Sequence, residues 1–322
     1  MILENEPTKQ NITDAHERIK NQIHRTPILS SSSINNITGC ELYFKCENFQ
    51  KVGAFKFRGA SNAVLSLNKE ELQRGVATHS SGNHAAALAL AAKMKNVPAY
   101  IVMPRTAPQI KKIAVQGYGA KIIFCEPTLQ AREETLAKVV EETSATFIHP
   151  YNNYSVIAGQ ATCAKEIIEE NADLDFIIPP VGGGGLASGT CLSAKYFTNK
   201  TKVIGAEPLG ADDAFRSLRD KTIYPSASPK TICDGLLTSL GEKTYGILSR
   251  DMYEILTATE KSIVDAMRLI WERMKIIVEP SSAVTLAVVM ENKEKFARKK
   301  IALILSGGNV DLTKLPWNSS TD

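Results

Sequence analysis

The chain lacks any apolar run long enough to cross a bilayer. Its longest stretch of small apolar residues covers positions 85–92, far short of the roughly 20 residues a spanning helix needs. It also lacks a strong charge of either sign. A net charge of +4 over 322 residues leaves no electrostatic footprint for nucleic acid or for a membrane surface. The six cysteines, Cys40, Cys46, Cys125, Cys163, Cys191 and Cys233, form no C-x-x-C pair. That argues against a zinc site or a disulfide scaffold and predicts reduced, buried thiols. The first seven residues have neither a basic start nor an apolar core, so no secretory signal is expected and the cytoplasm is the default. Low-complexity segments and solenoid repeats are absent too. What is present, 43% apolar and 22% charged residues, is the composition of a soluble globular enzyme whose length suggests about two domains.

Glycine is concentrated rather than scarce. Gly182, Gly183, Gly184 and Gly185 follow the short apolar run 176–178, and helical spacing resumes over 190–197. Each glycine loses more backbone entropy on folding than any other residue. Such a run therefore suits a place where backbone approaches something closely. Bare N–H groups at a helix N-terminus suit a phosphate. Gly182, Gly184 and Ala187 also fit G-x-G-x-x-A, with Glu207 ending the next strand as a ribose-binding acid would, so a nicotinamide oxidoreductase is a rival reading. A Walker loop is excluded, because Thr190 stands where its lysine must be.

The rest of the chain alternates strands with helices. A helix is expected from an N-cap at Thr13, with Ala15, Ile19 and Ile23 on one face. Strand 41–46 and helix 56–67 follow, then strand 76–79, helix 83–95, strand 99–103, a helix from Pro108 to 116, strand 121–124 and helix 129–142. The second half repeats the rhythm with helix 156–169, strands at 176–178, 203–206 and 255–257, helices 262–275 and 281–290, and strand 301–305. The four serines from Ser30 read as a polar loop. Alternation of this kind implies right-handed crossovers and parallel sheets, with ligands gathering at the carboxyl ends of the strands.

Two further stretches carry chemistry. Lys56 stands between Phe55 and Phe57 at a helix start. Burial there would lower its pKa and make it a better nucleophile and base, although a surface lysine whose stem covers apolar neighbours fits the local sequence as well. Ser80-Ser81-Gly82-Asn83-His84 closes one strand and opens the next helix. It offers hydroxyls, an amide, an imidazole and helix N–H groups, a good seat for a carboxylate, or else an ordinary capping turn.

Phe55-Lys56-Phe57-Arg58-Gly59-Ala60, Ser81-Gly82-Asn83-His84, the Gly182 run and Ser306-Gly307-Gly308-Asn309 occur in the order and approximate spacing of the fold-type II pyridoxal-phosphate enzymes. Within them the chain resembles the serine racemase and serine/threonine dehydratase family, from about Asp14 to Asp311. The resemblance implies a tryptophan synthase β-like α/β fold of two open parallel-sheet domains with the cofactor between them. Their expected limits are 1–74 with 151–322 for the large domain and 75–150 for the small one. It implies that Lys56 binds pyridoxal phosphate covalently, with Phe55 beside it. Gly182, Gly183, Gly184, Gly185 and Leu186 would bind the phosphate, Asn83 the ring hydroxyl and Ser306 the pyridine nitrogen. Ser80, Ser81, Asn83 and His84 would surround the substrate carboxylate, with Arg132 near that pocket. Glu207, the Ala211 carbonyl and Asp213 would hold Mg²⁺, or Ca²⁺ or Mn²⁺. These are oxygen ligands suited to hard cations, though after Pro208 they also read as a helix-start acid cluster. A homodimer is implied, and so is ATP as an effector at the subunit interface. Lys111 and Tyr118 match that site, while Ala86 stands where relatives usually have Gln. Tyr151 stands where the mammalian racemases have Asn.

Ser81 bears on the reaction. Many threonine dehydratases of this family have Ala there, and elimination needs a base on one face only, whereas racemisation needs an acid/base group on each. Together with the absence of a regulatory segment after Asp311, this favours a serine racemase activity with accompanying dehydration of serine. Lys56 and Ser81 would then be the two acid/base groups. The alternatives are an L-serine/L-threonine or threo-3-hydroxyaspartate dehydratase, the NAD-dependent oxidoreductase named above, and a metabolite-binding protein without turnover.

Overall fold

In the computed structural model, which describes residues 6–107 and 109–317, ten strands form two sheets. The strands are β1 (Ile28–Leu29), β2 (Glu41–Cys46), β3 (Val76–His79), β4 (Ala99–Pro104), β5 (Lys121–Cys125), β6 (Thr146–Phe147), β7 (Phe176–Ile178), β8 (Lys202–Pro208), β9 (Glu254–Ala258) and β10 (Lys300–Leu305). The larger sheet runs β1-β2-β10-β7-β8-β9 and the smaller runs β5-β4-β3-β6. All pairings are parallel except β1 with β2, so the larger sheet is mixed at one edge rather than wholly parallel. Ile301, Ala302, Leu303, Ile304 and Leu305 in β10 are all fully buried. That is why β10 reads as continuous apolar sequence: a central parallel strand is covered on both faces.

Several boundaries differ from the sequence expectation. The first helix is Lys9–Ile19, capped by Thr8, which exchanges hydrogen bonds with Asn11 in a capping box. Thr13 lies inside it, its hydroxyl donating to the Lys9 carbonyl. Ser31 caps a short helix, Ser32–Thr38, closed by Gly39 at φ +72°, so the serine run starts a helix instead of forming a plain loop. The helix after the glycine run begins at Gly185 rather than near Thr190. Pro108 and the first five residues lie outside the described residues, and the helix expected from Pro108 is seen as Gln109–Gly117. All six cysteines are buried and free.

A buried ionic cluster fixes the segment that carries Lys56. Arg58 lies two residues beyond it on the same helix and is fully buried. Its guanidinium donates to Glu47 at 2.8 Å and to Glu166 at 2.7 Å, and Lys45 donates to Glu166 at 2.7 Å and to the Thr26 carbonyl. Two cations face two carboxylates, so the cluster is neutral, and Arg58 and Lys45 hold the Glu166 carboxyl down at a pKa of about 2 against its burial. Removing one member leaves an uncompensated buried charge. Arg58→Ala is expected to lower unfolding free energy by about 3–5 kcal/mol. A denaturant titration showing less than about 1 kcal/mol would contradict that.

Candidate active site

Every element expected to carry the site ends at the carboxyl edge of a parallel strand, where such sheets hold their ligands. β2 leads to Lys56, β3 to Ser80–His84, β7 to the glycine run and β10 to Ser306. The chain then ties these ends together. The Phe55 N–H donates to the Ser306 carbonyl at 2.9 Å, and Gly308 N–H to the Gly53 carbonyl at 2.9 Å. Lys56 is thereby seated beside the turn after β10. Its ammonium donates to the Pro150 carbonyl at 2.9 Å, reaching the strand ends of the smaller sheet, and lies 5.2 Å from the Phe55 ring centre. Burial lowers its pKa to about 8, against the opposing pull of Glu279.

The glycine run has the form of a cradle. Gly184 adopts φ +83°, a conformation costly for residues with a Cβ, and it caps the Gly185–Phe197 helix. Tyr151 lies across the run. A Cβ on Gly183 would strike its ring, and one on Gly185 would meet the Tyr151 Cβ at 2.9 Å. Main-chain N–H groups at a helix start, a close approach only glycine permits and a nearby desolvated amine fit a phosphate-bearing aldehyde cofactor. Ser306 completes the set. It is 3% exposed, and its hydroxyl sits 3.2 Å from that of Ser282, which donates to the Gly307 carbonyl and accepts from the Gly307 N–H.

In the turn after β3, Ser80 accepts from the Gly82 N–H at 3.4 Å. Ser81 is half-buried, and among the described residues nothing hydrogen-bonds its hydroxyl. His84 is deeply buried, its Nε2 bonded to the Ile148 carbonyl at 3.1 Å. Burial, reinforced by Lys56, lowers its pKa to about 3. A neutral imidazole turned inward brings no charge to a carboxylate, so what His84 can offer is its main-chain N–H at the helix start. Arg132 is half-buried on the Leu129–Thr143 helix. A cavity of about 570 Å³ opens nearby, lined among others by His79, Glu133, Phe147 and His149. The His149 ring that lines it meets Tyr151 edge-on at 4.5 Å.

Glu207 and Asp213 are each 1% exposed. Glu207 accepts from the N–H groups of Ala214 and Phe215 at 3.0 and 2.8 Å. Neither oxygen of Asp213 has a partner among the described residues. Burial raises Glu207 well above the usual carboxylate range and Asp213 to about 6. Two buried carboxylates, one with orphaned oxygens, fit a cation better than a helix-start cluster, although no group of three or more His, Cys, Asp or Glu converges among the described residues. The bonds of Glu207 to Ala214 and Phe215 turn its carboxyl onto the start of the Asp213–Asp220 helix.

Sequence reasoning missed the residues that hold these groups in place: Pro150, Ser282, the Asn309 amide and, above all, Glu279. The one available signal for Glu279 was a lone acid between an apolar run and Pro280.

The family model of pyridoxal-phosphate dependent enzymes matches residues 19–307. A β-hydroxyaspartate dehydratase of Paracoccus denitrificans is 53% identical over 97% of this chain and 99% of its own. A serine racemase of Dictyostelium discoideum is 51% identical over 96% of each. The solved structure of maize serine racemase superposes with a TM-score of 0.94 at 44% identity, covering 97% of this chain and 96% of that one.

Proposed function

The chain belongs to the pyridoxal-phosphate dependent enzyme family, and from that premise we propose that it is a serine racemase that also eliminates water from serine to give pyruvate and ammonia. The observation that carries this reading is the placement of Ser81 in the turn that opens the Asn83–Lys95 helix, its hydroxyl committed to no partner among the described residues. Bound pyridoxal phosphate supplies an electron sink that acidifies the Cα proton of an amino acid joined to it.

The chain's residues do the rest. Lys56 takes the proton on one face. Burial lowers its pKa to about 8, so more of it is free base near neutrality than of an ordinary lysine. Ser81 serves the opposite face. Gly182 to Gly185 and Leu186 would hold the phosphate, Asn83 would donate to the ring oxygen and Ser306 would meet the ring nitrogen. Ser80, Ser81, Asn83 and the His84 N–H receive the substrate carboxylate, with Arg132 close to that pocket. The large domain, 1–74 with 151–322, would supply the cofactor cradle, and the small domain, 75–150, the carboxylate seat. In this reading the protein is a cytoplasmic homodimer. The free, buried cysteines support a reducing compartment, and among the described residues no helix is long and apolar enough to cross a membrane.

The test is a product assay with L-serine, L-threonine and threo-3-hydroxyaspartate, scoring D-serine and keto acid separately. D-serine from L-serine is expected. Keto acid from hydroxyaspartate with no D-serine would make the chain a dehydratase like its Paracoccus relative.

Glu207, the Ala211 carbonyl and Asp213 would hold Mg²⁺ or a similar cation away from the cofactor, in a structural or allosteric role. Adding Mg²⁺ or Ca²⁺ is expected to raise the melting temperature, and Asp213→Ala to remove that gain. An unchanged gain in the variant would place the cation elsewhere. ATP, as an effector, would meet Lys111 and Tyr118. It would have to compete with Asp234, which already pairs with Lys111 at 2.8 Å.

A further inference from the structure

Glu279 breaks the local rules at its position. It is the N-cap of the Pro280–Glu291 helix, yet its side chain makes no capping bond. Glutamate is not among the preferred N-cap residues, and a carboxylate is rarely buried without a cationic partner. Glu279 is 3% exposed, and no cation lies within ion-pair distance of it among the described residues. Its partners are all neutral. The Asn83 Nδ2 donates to both carboxyl oxygens, at 3.1 and 3.2 Å, and the Asn309 N–H donates to one of them at 3.2 Å. The Asn309 side-chain amide then donates to the Asn83 Oδ1 at 2.9 Å and to the Val52 carbonyl at 2.7 Å.

These bonds form a closed ring of three residues from three parts of the chain, and the ring determines which way the Asn83 amide points. Its oxygen is taken by the Asn309 donor. Its nitrogen faces an acceptor-only carboxylate and spends one of its two protons there. One proton shared between the two carboxyl oxygens leaves the second free for another acceptor. Asn83 can thus act only as a donor toward whatever lies beside Lys56. With a flipped amide, the Asn83 nitrogen would face the Asn309 side-chain nitrogen, two donors with no acceptor between them, whether or not Glu279 carries a proton.

We propose that Glu279 is a positioning residue. It locks Asn83 into its donor orientation and fastens the start of the Asn83–Lys95 helix to the turn after β10, so that a cofactor ring oxygen always meets a donor there. The proposal rests on the reading of this cleft as a pyridoxal-phosphate site. The turn after β10 also packs closely on this carboxyl: a Cβ added at Gly307 would meet it at 2.9–3.0 Å, so glycine is what lets the two approach. Burial and the nearby Asp234 carboxylate push its pKa up to about 7, while Asn83 and Asn309 pull the other way. Protonated or not, it presents acceptors to both donors.

The experiment compares the wild type with Glu279→Ala and Glu279→Gln, each stripped of cofactor and titrated with pyridoxal phosphate. Affinity and the visible absorption band of the bound cofactor are both read. Glu279→Ala leaves buried donors unpaired and frees the amide. Its affinity should fall about tenfold to a hundredfold, and the visible band should lose intensity to a near-ultraviolet one as the ring oxygen regains its proton. Glutamine keeps one acceptor oxygen able to serve Asn83 and Asn309, so Glu279→Gln should restore most of the band. Glu279→Ala with a wild-type spectrum, whatever its melting temperature, overturns the proposal and makes Glu279 a packing residue. So does a band that glutamine fails to restore while that variant melts like the wild type. Should Glu279→Ala fail to fold, the glutamine variant and Asn309→Ala, which removes the other half of the lock, decide the matter by the same band. A wild type that binds no pyridoxal phosphate would instead overturn the assignment of the cleft itself, a result the titration distinguishes at once.

Discussion

Lys56→Ala is expected to abolish both D-serine formation and keto-acid release, each by more than about 10⁴-fold, the upper end of what a positioned acid or base contributes. The loss exceeds that of a base alone because the same amine also anchors the cofactor. Position explains the expectation. The ammonium lies at 2.9 Å from the Pro150 carbonyl, beside the turn that carries Ser306, with its pKa lowered to about 8. Among the described residues no other lysine meets these conditions: Lys45, also buried, is consumed by Glu166 and the Thr26 carbonyl. Borohydride treatment of the yellow wild type should fix the chromophore on the peptide containing Lys56, and the variant should lack any fixed chromophore. A Lys56→Ala enzyme within tenfold of wild type, or a chromophore fixed on another lysine, would contradict this.

Ser81→Ala carries the second large effect, and it divides the two reactions. Elimination of water from L-serine needs proton removal on the Lys56 face and departure of the β-hydroxyl. Inversion needs a proton delivered to the other face as well. D-serine formation should therefore fall by about 10²–10⁴-fold, while dehydration of L-serine falls much less, limited to a lost carboxylate contact. Dehydration of D-serine, whose Cα proton faces Ser81, should collapse with racemisation. Equal losses in all three rates would reduce Ser81 to a binding group and make the protein a dehydratase. A neutral hydroxyl is a weak base, and among the described residues Ser81 has no side chain drawing its proton away. The cofactor and substrate, once bound, are what would surround it.

How much of this could be read beforehand depends on whether a residue's meaning is local. The glycine cradle was legible because four glycines between an apolar strand and a helix cost too much entropy to serve as a plain turn, and β10 because its five buried positions, 301–305, are all apolar. Lys56 was ambiguous alone, and only the order of four motifs singled it out as the candidate cofactor lysine. Thr8 and Thr13 both look like caps. The choice fell to Asn11, whose side chain closes the box with Thr8, a pairing hydrophobic spacing does not report. The helix capped by Ser31 was hidden by a serine run that suits a loop equally well. β1 has only two residues, too short for any period. Glu279 was illegible for a deeper reason. Its role is defined by Asn83, 196 residues earlier, and by Asn309, 30 residues later. Nothing in Val278-Glu279-Pro280 says what the carboxyl will face. His84 shows the converse error: an imidazole beside two serines reads as a ligand group, but the fold turns it inward onto Ile148.

The central claim is that protons are exchanged on both faces of the substrate Cα, by Lys56 on one and Ser81 on the other. Incubation in heavy water tests it most directly, with deuterium at Cα followed separately in L- and D-serine for the wild type and for Ser81→Ala. The wild type should place deuterium in both enantiomers and interconvert them. Ser81→Ala should still exchange the Cα proton of L-serine while forming no D-serine and leaving added D-serine unlabelled. Exchange of D-serine at the wild-type rate in that variant, or loss of L-serine exchange together with racemisation, would contradict the two-faced account.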